Sequence, residues 1–146
     1  AMCWAACDRL ANAADRLGLE NRARHWRERA AAIHARVEAD AWRPALDRYA
    51  ASFQGDELDA SLLQLVEVRF LTPDDPRFRS TLAAIEAELR RGSDLMRYAA
   101  DDFGEPETAF NFCTFWLIEA LHLVGRSDEA RALFETMLPR RTLLGA

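Results

Sequence analysis

The side chains with reactive potential are few. Cys3, Cys7 and Cys113 are the thiols; His25, His34 and His122 are the imidazoles. Asp101, Asp102, Glu105 and Glu107 form a local run of carboxylates. Zinc sites draw on closely spaced pairs of cysteine or histidine, and the chain has no CxxC and no such histidine pair. No metal and no other cofactor is expected. Cys3 and Cys7 share one helical face and Cys113 lies in an apolar run, so all three read as buried free thiols. His122, in the same apolar run, reads as a core histidine with satisfied nitrogens. On residue types alone the acidic run is a solvated loop, and Arg97 is a surface arginine paired with Asp101 or Asp102.

Charge narrows the partners. The 146 residues carry a net charge of −5, and all 19 basic residues are arginine. The arginines are interleaved with Asp and Glu, and Glu20/Arg24, Arg24/Glu28 and Glu86/Arg90 stand at the i,i+4 spacing that braces solvated helix faces. An acidic chain with scattered arginine is a poor match for a polyanion, so nucleic acid is not an expected partner. The apolar run Ala109 to Val124 is interrupted by Asn111, Thr114, Glu119 and His122. It is shorter than the roughly 20 residues a membrane span needs. With no secretory signature at the N-terminus, a cytoplasmic location is expected.

The elements that must position these groups are helices. Cys3, Cys7, Leu10, Ala14 and Leu17 trace one apolar stripe at helical spacing. Trp26, Ala30, Ile33 and Val37 trace a second, and Phe78, Leu82, Ile85 and Leu89 a third. Asp75-Pro76 supplies a capping carboxylate and a helix-starting proline ahead of the third stripe. Gly18, Gly92 and Gly125 each follow a periodic segment, where a chain leaving a helix takes positive φ. Tyr49 to Phe53 reads as a short extended stretch before a helix of Leu58, Leu62 and Leu65. Phe110 to Val124 is apolar nearly all round, which predicts an inner helix covered on every side. Gly18-Leu-Glu-Asn-Arg-Ala23-Arg24 and Gly125-Arg-Ser-Asp-Glu-Ala130-Arg131 share Gly, Ala and Arg at equal offsets, a weak repeat of paired helices. The four tryptophans, Trp4, Trp26, Trp42 and Trp116, read as packing residues.

Several strings, in order along the chain, carry a family resemblance. They are Met2-Cys-Trp-Ala-Ala-Cys-Asp-Arg9, Ser52-Phe53, Leu58-Asp-Ala-Ser-Leu-Leu63 and Phe70-Leu-Thr-Pro-Asp-Asp-Pro-Arg77. Arg97-Tyr98, Glu107-Thr-Ala-Phe110, Cys113-Thr-Phe-Trp-Leu117 and Asp128-Glu-Ala-Arg131 follow. In order and spacing the chain resembles glycoside hydrolase family 15, the glucoamylase, glucodextranase and bacterial trehalase type. The resemblance implies an all-α fold whose helical hairpins form part of an (α/α)6 toroid, with residues 1–146 a single helical segment of it. It also implies an inverting glycosidase acting on α-glucosides, glucan ends or trehalose.

An inverting reaction needs one carboxylic acid to protonate the leaving oxygen and one carboxylate to activate water, roughly 6.5–9.5 Å apart. In the family the acid lies in a Trp-Glu segment ahead of the Met2-Cys-Trp string, and the base in a Ser-Glu segment after the stretch matching Arg140 to Ala146. Neither segment falls within residues 1–146, so no catalytic residue is assigned and the chain by itself is expected to hydrolyse nothing.

Part of the substrate wall is implied. Arg97 and Tyr98 match the family's sugar-facing Arg-Tyr, where a guanidinium donates a fork of hydrogen bonds to hydroxyls. Asp101 falls at an acidic position near the first leaving-group subsite, Glu107 opens a Glu-Gly-Ala-Phe-like turn, and Phe110 offers a ring to a sugar. Thr108 stands where the family has glycine, and Asn111 interrupts its apolar stretch. The competing roles are a surface ion pair for Arg97, a backbone hydrogen bond for Tyr98 and core packing for Phe110. The expected partners are α-glucoside sugars, held weakly, and a second copy of the chain covering the Phe110–Val124 helix. The alternative function is an α-helical protein-interaction module of solenoid type.

Overall fold

The computed structural model describes residues 1–100 and 104–140. The chain opens with a helical hairpin, α1 (Met2–Arg16) and α2 (Glu20–Ala41), and closes with another, α5 (Asn111–Leu123) and α6 (Ser127–Met137). Between them lie a 3-10 turn (Ala60–Leu63), the single-turn α3 (Gln64–Glu67) and α4 (Pro76–Leu89). Two-residue strands form two small antiparallel hairpins, β1 (Trp42–Arg43) with β2 (Arg48–Tyr49), and β3 (Arg90–Arg91) with β4 (Asp94–Leu95). No described helix is long and apolar enough to cross a membrane.

The two helical hairpins turn by the same device. Gly18 and Gly125 take φ of 69° and 89°. The residue after each donates back across the helix end, Leu19 N to Ala14 O at 2.9 Å and Arg126 N to Leu121 O at 2.8 Å. That six-to-one bond satisfies helix carbonyls that would otherwise be orphaned. The repeat visible in the sequence is therefore a repeat of the helix-ending turn. At the start of α4, Asp75 accepts from Arg77 N at 2.8 Å and Pro76 occupies the first turn, as its sequence predicts.

The core lies along α4 and α5. Phe78, Leu82, Ile85 and Leu89, the third stripe, are all buried. They meet Leu117 and Leu121 of α5, Leu63 and Leu65, and Leu95 in one continuous cluster. Two threonines are fully buried there, and each ties a strand to a helix. Tyr49 N donates to Thr81 Oγ1 at 3.0 Å, and Leu95 N donates to Thr114 Oγ1 at 3.1 Å. Each hairpin then closes on the helix that feeds it: Ala50 N to Ala41 O at 2.8 Å, and Met96 N to Leu89 O at 2.9 Å. A second internal repeat results, of helix, strand hairpin and threonine anchor.

Several expectations need correction. In α1 the buried residues are Ala5, Ala11 and Ala14, while Leu10 is 45% and Leu17 72% exposed. Helix α2, which packs on α1, buries Ala23, Ala30, Val37 and Ala41. The hairpin thus buries mainly small side chains and leaves the leucines of α1 outside. Cys3 is consequently exposed and Cys7 half-buried; only Cys113 is buried as expected. Helix α5 buries Cys113, Thr114, Leu117, Ala120 and Leu121, but Phe112, Phe115 and Leu123 are exposed, so it is not covered on every side within this chain. His122 is exposed and its Nδ1 lies 3.0 Å from Ser127 Oγ, a surface contact rather than a core one. Of the helix ion pairs, Glu86/Arg90 forms at 3.3 Å, whereas Arg24 donates to Asn21 Oδ1 at 3.3 Å. The Tyr49–Phe53 stretch is extended only at its start, where it pairs with Trp42, and the helix expected from Leu58 is a 3-10 turn passing into α3.

Candidate functional site

Three segments distant in sequence converge around Arg97. The first is Asp59, in extended conformation ahead of the 3-10 turn, with Oδ1 accepting from Ser61 N at 2.7 Å. That is an N-cap, satisfying a backbone donor the turn leaves open. The second is the run out of β4. It is pinned at Leu95 by Thr114 and at Met96 by Leu89, and delivers Arg97 one residue later. The third is the N-terminal turn of α5, which contributes Cys113.

Arg97 is held twice by the Asp59–Ala60 dipeptide. Its Nε donates to Asp59 Oδ2 at 3.2 Å, and its carbonyl accepts from Ala60 N at 2.8 Å. The Arg97 side chain is 43% exposed and that of Asp59 20%. A guanidinium anchored through Nε keeps its terminal NH2 groups as donors to a second partner. The ion pair expected with Asp101 or Asp102 involves residues outside the described ones; the described partner is Asp59. Cys113 lies beside this pair. Burial pushes its thiol up to about 11; the Asp59 charge adds to the rise and Arg97 opposes it. At neutral pH it is a protonated packing group and no nucleophile.

Tyr98 follows Arg97 and is half-buried. Asp101 lies outside the described residues. Glu107 is exposed on the run leading into α5, and Phe110 stands at that helix's N-cap, 50% exposed. The Phe110 ring stacks on Phe112 with centroids 5.2 Å apart and planes at 17°, and Phe112 tilts against Trp116 at 4.8 Å. One face of Phe110 is thus covered by a neighbouring ring. The structure groups Arg97 with Asp59, which residue types alone do not single out. Its signal was present: an aspartate directly ahead of Ala-Ser-Leu-Leu is a helix-start signature.

Two other features bear on chemistry. Glu67 of α3 lies near Glu119 of α5; burial raises the Glu119 carboxyl above its ordinary range, and the neighbouring Glu67 carboxyl raises it further. Carboxyls close enough to raise one another leave no room for a glycosidic oxygen and a water between them, so this pair does not fit an inverting acid and base. A recess of about 300 Å³ lies between the start of α1 and the loop after β2, with Met2, Phe53, Ser61 and Gln64 on its walls. Arg43 shapes that loop by donating to Phe53 O at 2.9 Å, Gly55 O at 2.7 Å and Asp56 Oδ1 at 2.8 Å.

Helical hairpins interrupted by two short strand hairpins define an α-helical domain. The fold is shared with two solved glycosidase structures, at TM-scores of 0.75 and 0.74 and 21% identity, over 84% of this chain and 33% of theirs. The sequence model of glycosyl hydrolases family 15 matches residues 1–142, and the chain belongs to that family. It is 41% identical over 144 residues to a trehalase of Mycobacterium tuberculosis, and 37% identical over 144 residues to one of Mycolicibacterium smegmatis. A trehalase of Thermoplasma acidophilum is 33% identical over 146 residues. These alignments cover 94%, 94% and 99% of this chain but only 21%, 21% and 25% of the relatives, so the chain spans about a quarter of their length or less. The solenoid interaction module finds no support in either the fold or the relatives.

Proposed function

We propose that this chain supplies part of the sugar-binding wall of an inverting α-glucoside hydrolase whose substrate is trehalose. The observation that carries the reading is the exposed, doubly anchored Arg97 at the position matching the family's sugar-facing arginine. Arg97 donates to the glucosyl hydroxyls, with Tyr98, Asp101 and Glu107 completing the polar lining and the free face of Phe110 packing on a ring. The two catalytic carboxylates come from sequence outside residues 1–146. One protonates the bridging oxygen while the other activates water on the opposite face of the sugar, giving an inverted glucose. The trehalase name of the relatives favours trehalose over maltose.

Residues 1–146 alone release no glucose from trehalose, maltose or isomaltose in this reading. The complete polypeptide carrying them turns over trehalose in preference to maltose, and Arg97→Ala raises its KM for trehalose. Glucose release by the isolated chain, or an unchanged KM in the variant, would overturn it. In isolation the chain covers the exposed rings of α5 with a second copy, because an apolar patch of this kind drives association; sedimentation showing only monomer at micromolar concentration counts against that. A cytoplasmic setting belongs to the same proposal, supported by three free cysteines that suit a reducing compartment.

A further inference from the structure

We propose that Asp59 is a positioning residue for substrate binding, holding the Arg97 guanidinium in the orientation that meets the sugar. The inference rests on the sugar-binding role of Arg97 given above. Asp59 divides its carboxylate between two donors: Oδ1 takes Ser61 N at 2.7 Å, and Oδ2 takes Arg97 Nε at 3.2 Å. The first bond fixes the carboxylate, so the second fixes the arginine. The adjoining peptide adds a backbone bond, Ala60 N to Arg97 O at 2.8 Å, which sets the two loops in register. An arginine on a free loop samples many rotamers, and ordering them opposes binding. One held at both its backbone and its Nε meets the ligand already oriented.

The competing explanation is a plain surface ion pair, and such pairs contribute little. It differs in what it predicts. A structural pair changes stability and leaves sugar binding alone; a positioning residue changes KM through Arg97 and through nothing else.

Asp59→Asn and Asp59→Ser separate the two, because both residue types keep the N-cap to Ser61 and neither offers Arg97 a carboxylate. In the complete polypeptide, each variant is expected to raise KM for trehalose about fivefold and leave kcat within about twofold, the pattern of lost uniform binding. The melting temperature stays at the parent value. In an Arg97→Ala background the same substitutions change KM no further, since partners acting as one unit are non-additive. An unchanged KM in both Asp59 variants while Arg97→Ala raises it would overturn this inference and spare the sugar-binding reading. Effects that multiply in the double variants, or unfolding of both single variants, would overturn it as well. If Arg97→Ala leaves KM unchanged, or the polypeptide turns over no trehalose, both fall together.

Discussion

The α1–α2 hairpin and the α4–α5 core hold together in different ways. The first buries mostly alanines, sets the Trp4 ring against His34, leaves Leu10 and Leu17 outside, and is braced by exposed ion pairs such as Arg27–Asp15. The second interlocks large side chains, with Phe78, Ile85, Leu89, Leu117 and Leu121 at 0% exposure, and threads buried hydroxyls through the packing. Arg97, the proposed sugar donor, hangs from the second region: β4 reaches it through Thr114, and the 3-10 turn through Asp59. The position of Arg97 is therefore set from the region of large buried side chains.

The contrast is broken most directly at Ile85. Ile85→Ala leaves a cavity among fully buried neighbours and is expected to cost about 2–5 kcal/mol, whereas Leu17→Ser at the C-terminal end of α1, at 72% exposure, is expected to stay within about 0.5 kcal/mol. Urea unfolding of the two variants makes the comparison; equal losses would erase the distinction between the regions. Next in size is Thr114→Val, which keeps the side-chain shape and strands the buried Leu95 N–H. A loss of about 1–3 kcal/mol is expected, together with faster amide exchange at Leu95 and Met96.

A smaller effect separates Asp75 from Glu119 by pH. The Arg77 side chain holds the Asp75 carboxyl below its usual range, with the helix-start backbone helping against burial. A depressed folded value means the stabilisation is present above the unfolded pKa of about 3.9 and is lost as pH falls through the lower folded value. Asp75→Asn keeps the cap and is expected to cost about 1 kcal/mol at pH 7, a difference that disappears as the pH drops below that range. Glu119 has the opposite sign. Its raised carboxyl loses stability as pH rises from the unfolded value through the folded one, so Glu119→Gln is expected to stabilise at pH 7, by less than about 0.5 kcal/mol, and to be neutral in acid. Melting curves from pH 3 to pH 7 read both. A Glu119 variant that loses stability at neutral pH would contradict the effect of the neighbouring Glu67 carboxyl.

Some of this was legible in the residues and some was not. The third stripe named its buried face correctly because Phe78, Leu82, Ile85 and Leu89 are large on one side only. The first stripe did not, because α1 offers alanines on one flank and leucines on another, and hydrophobicity ranks the leucines higher. What decided between them was the packing of α2 against α1. The repeat of strand hairpin and buried threonine left almost no trace, since two-residue strands carry no periodic pattern and a threonine in a helix does not announce its partner.

Helix ends and turns were set locally. Asp75-Pro76 and the glycines at 18, 92 and 125 act through the dihedral preferences of one or two residues, which no distant contact has to supply. The family strings fixed the fold class in the same way, by identity and order. Tertiary structure alone chose the alanine face of α1, the hydroxyl anchors at Thr81 and Thr114, and the pairing of Asp59 with Arg97 across 38 residues. Those choices depend on which surfaces can reach one another once the helices have packed, and spacing along the chain does not encode that distance.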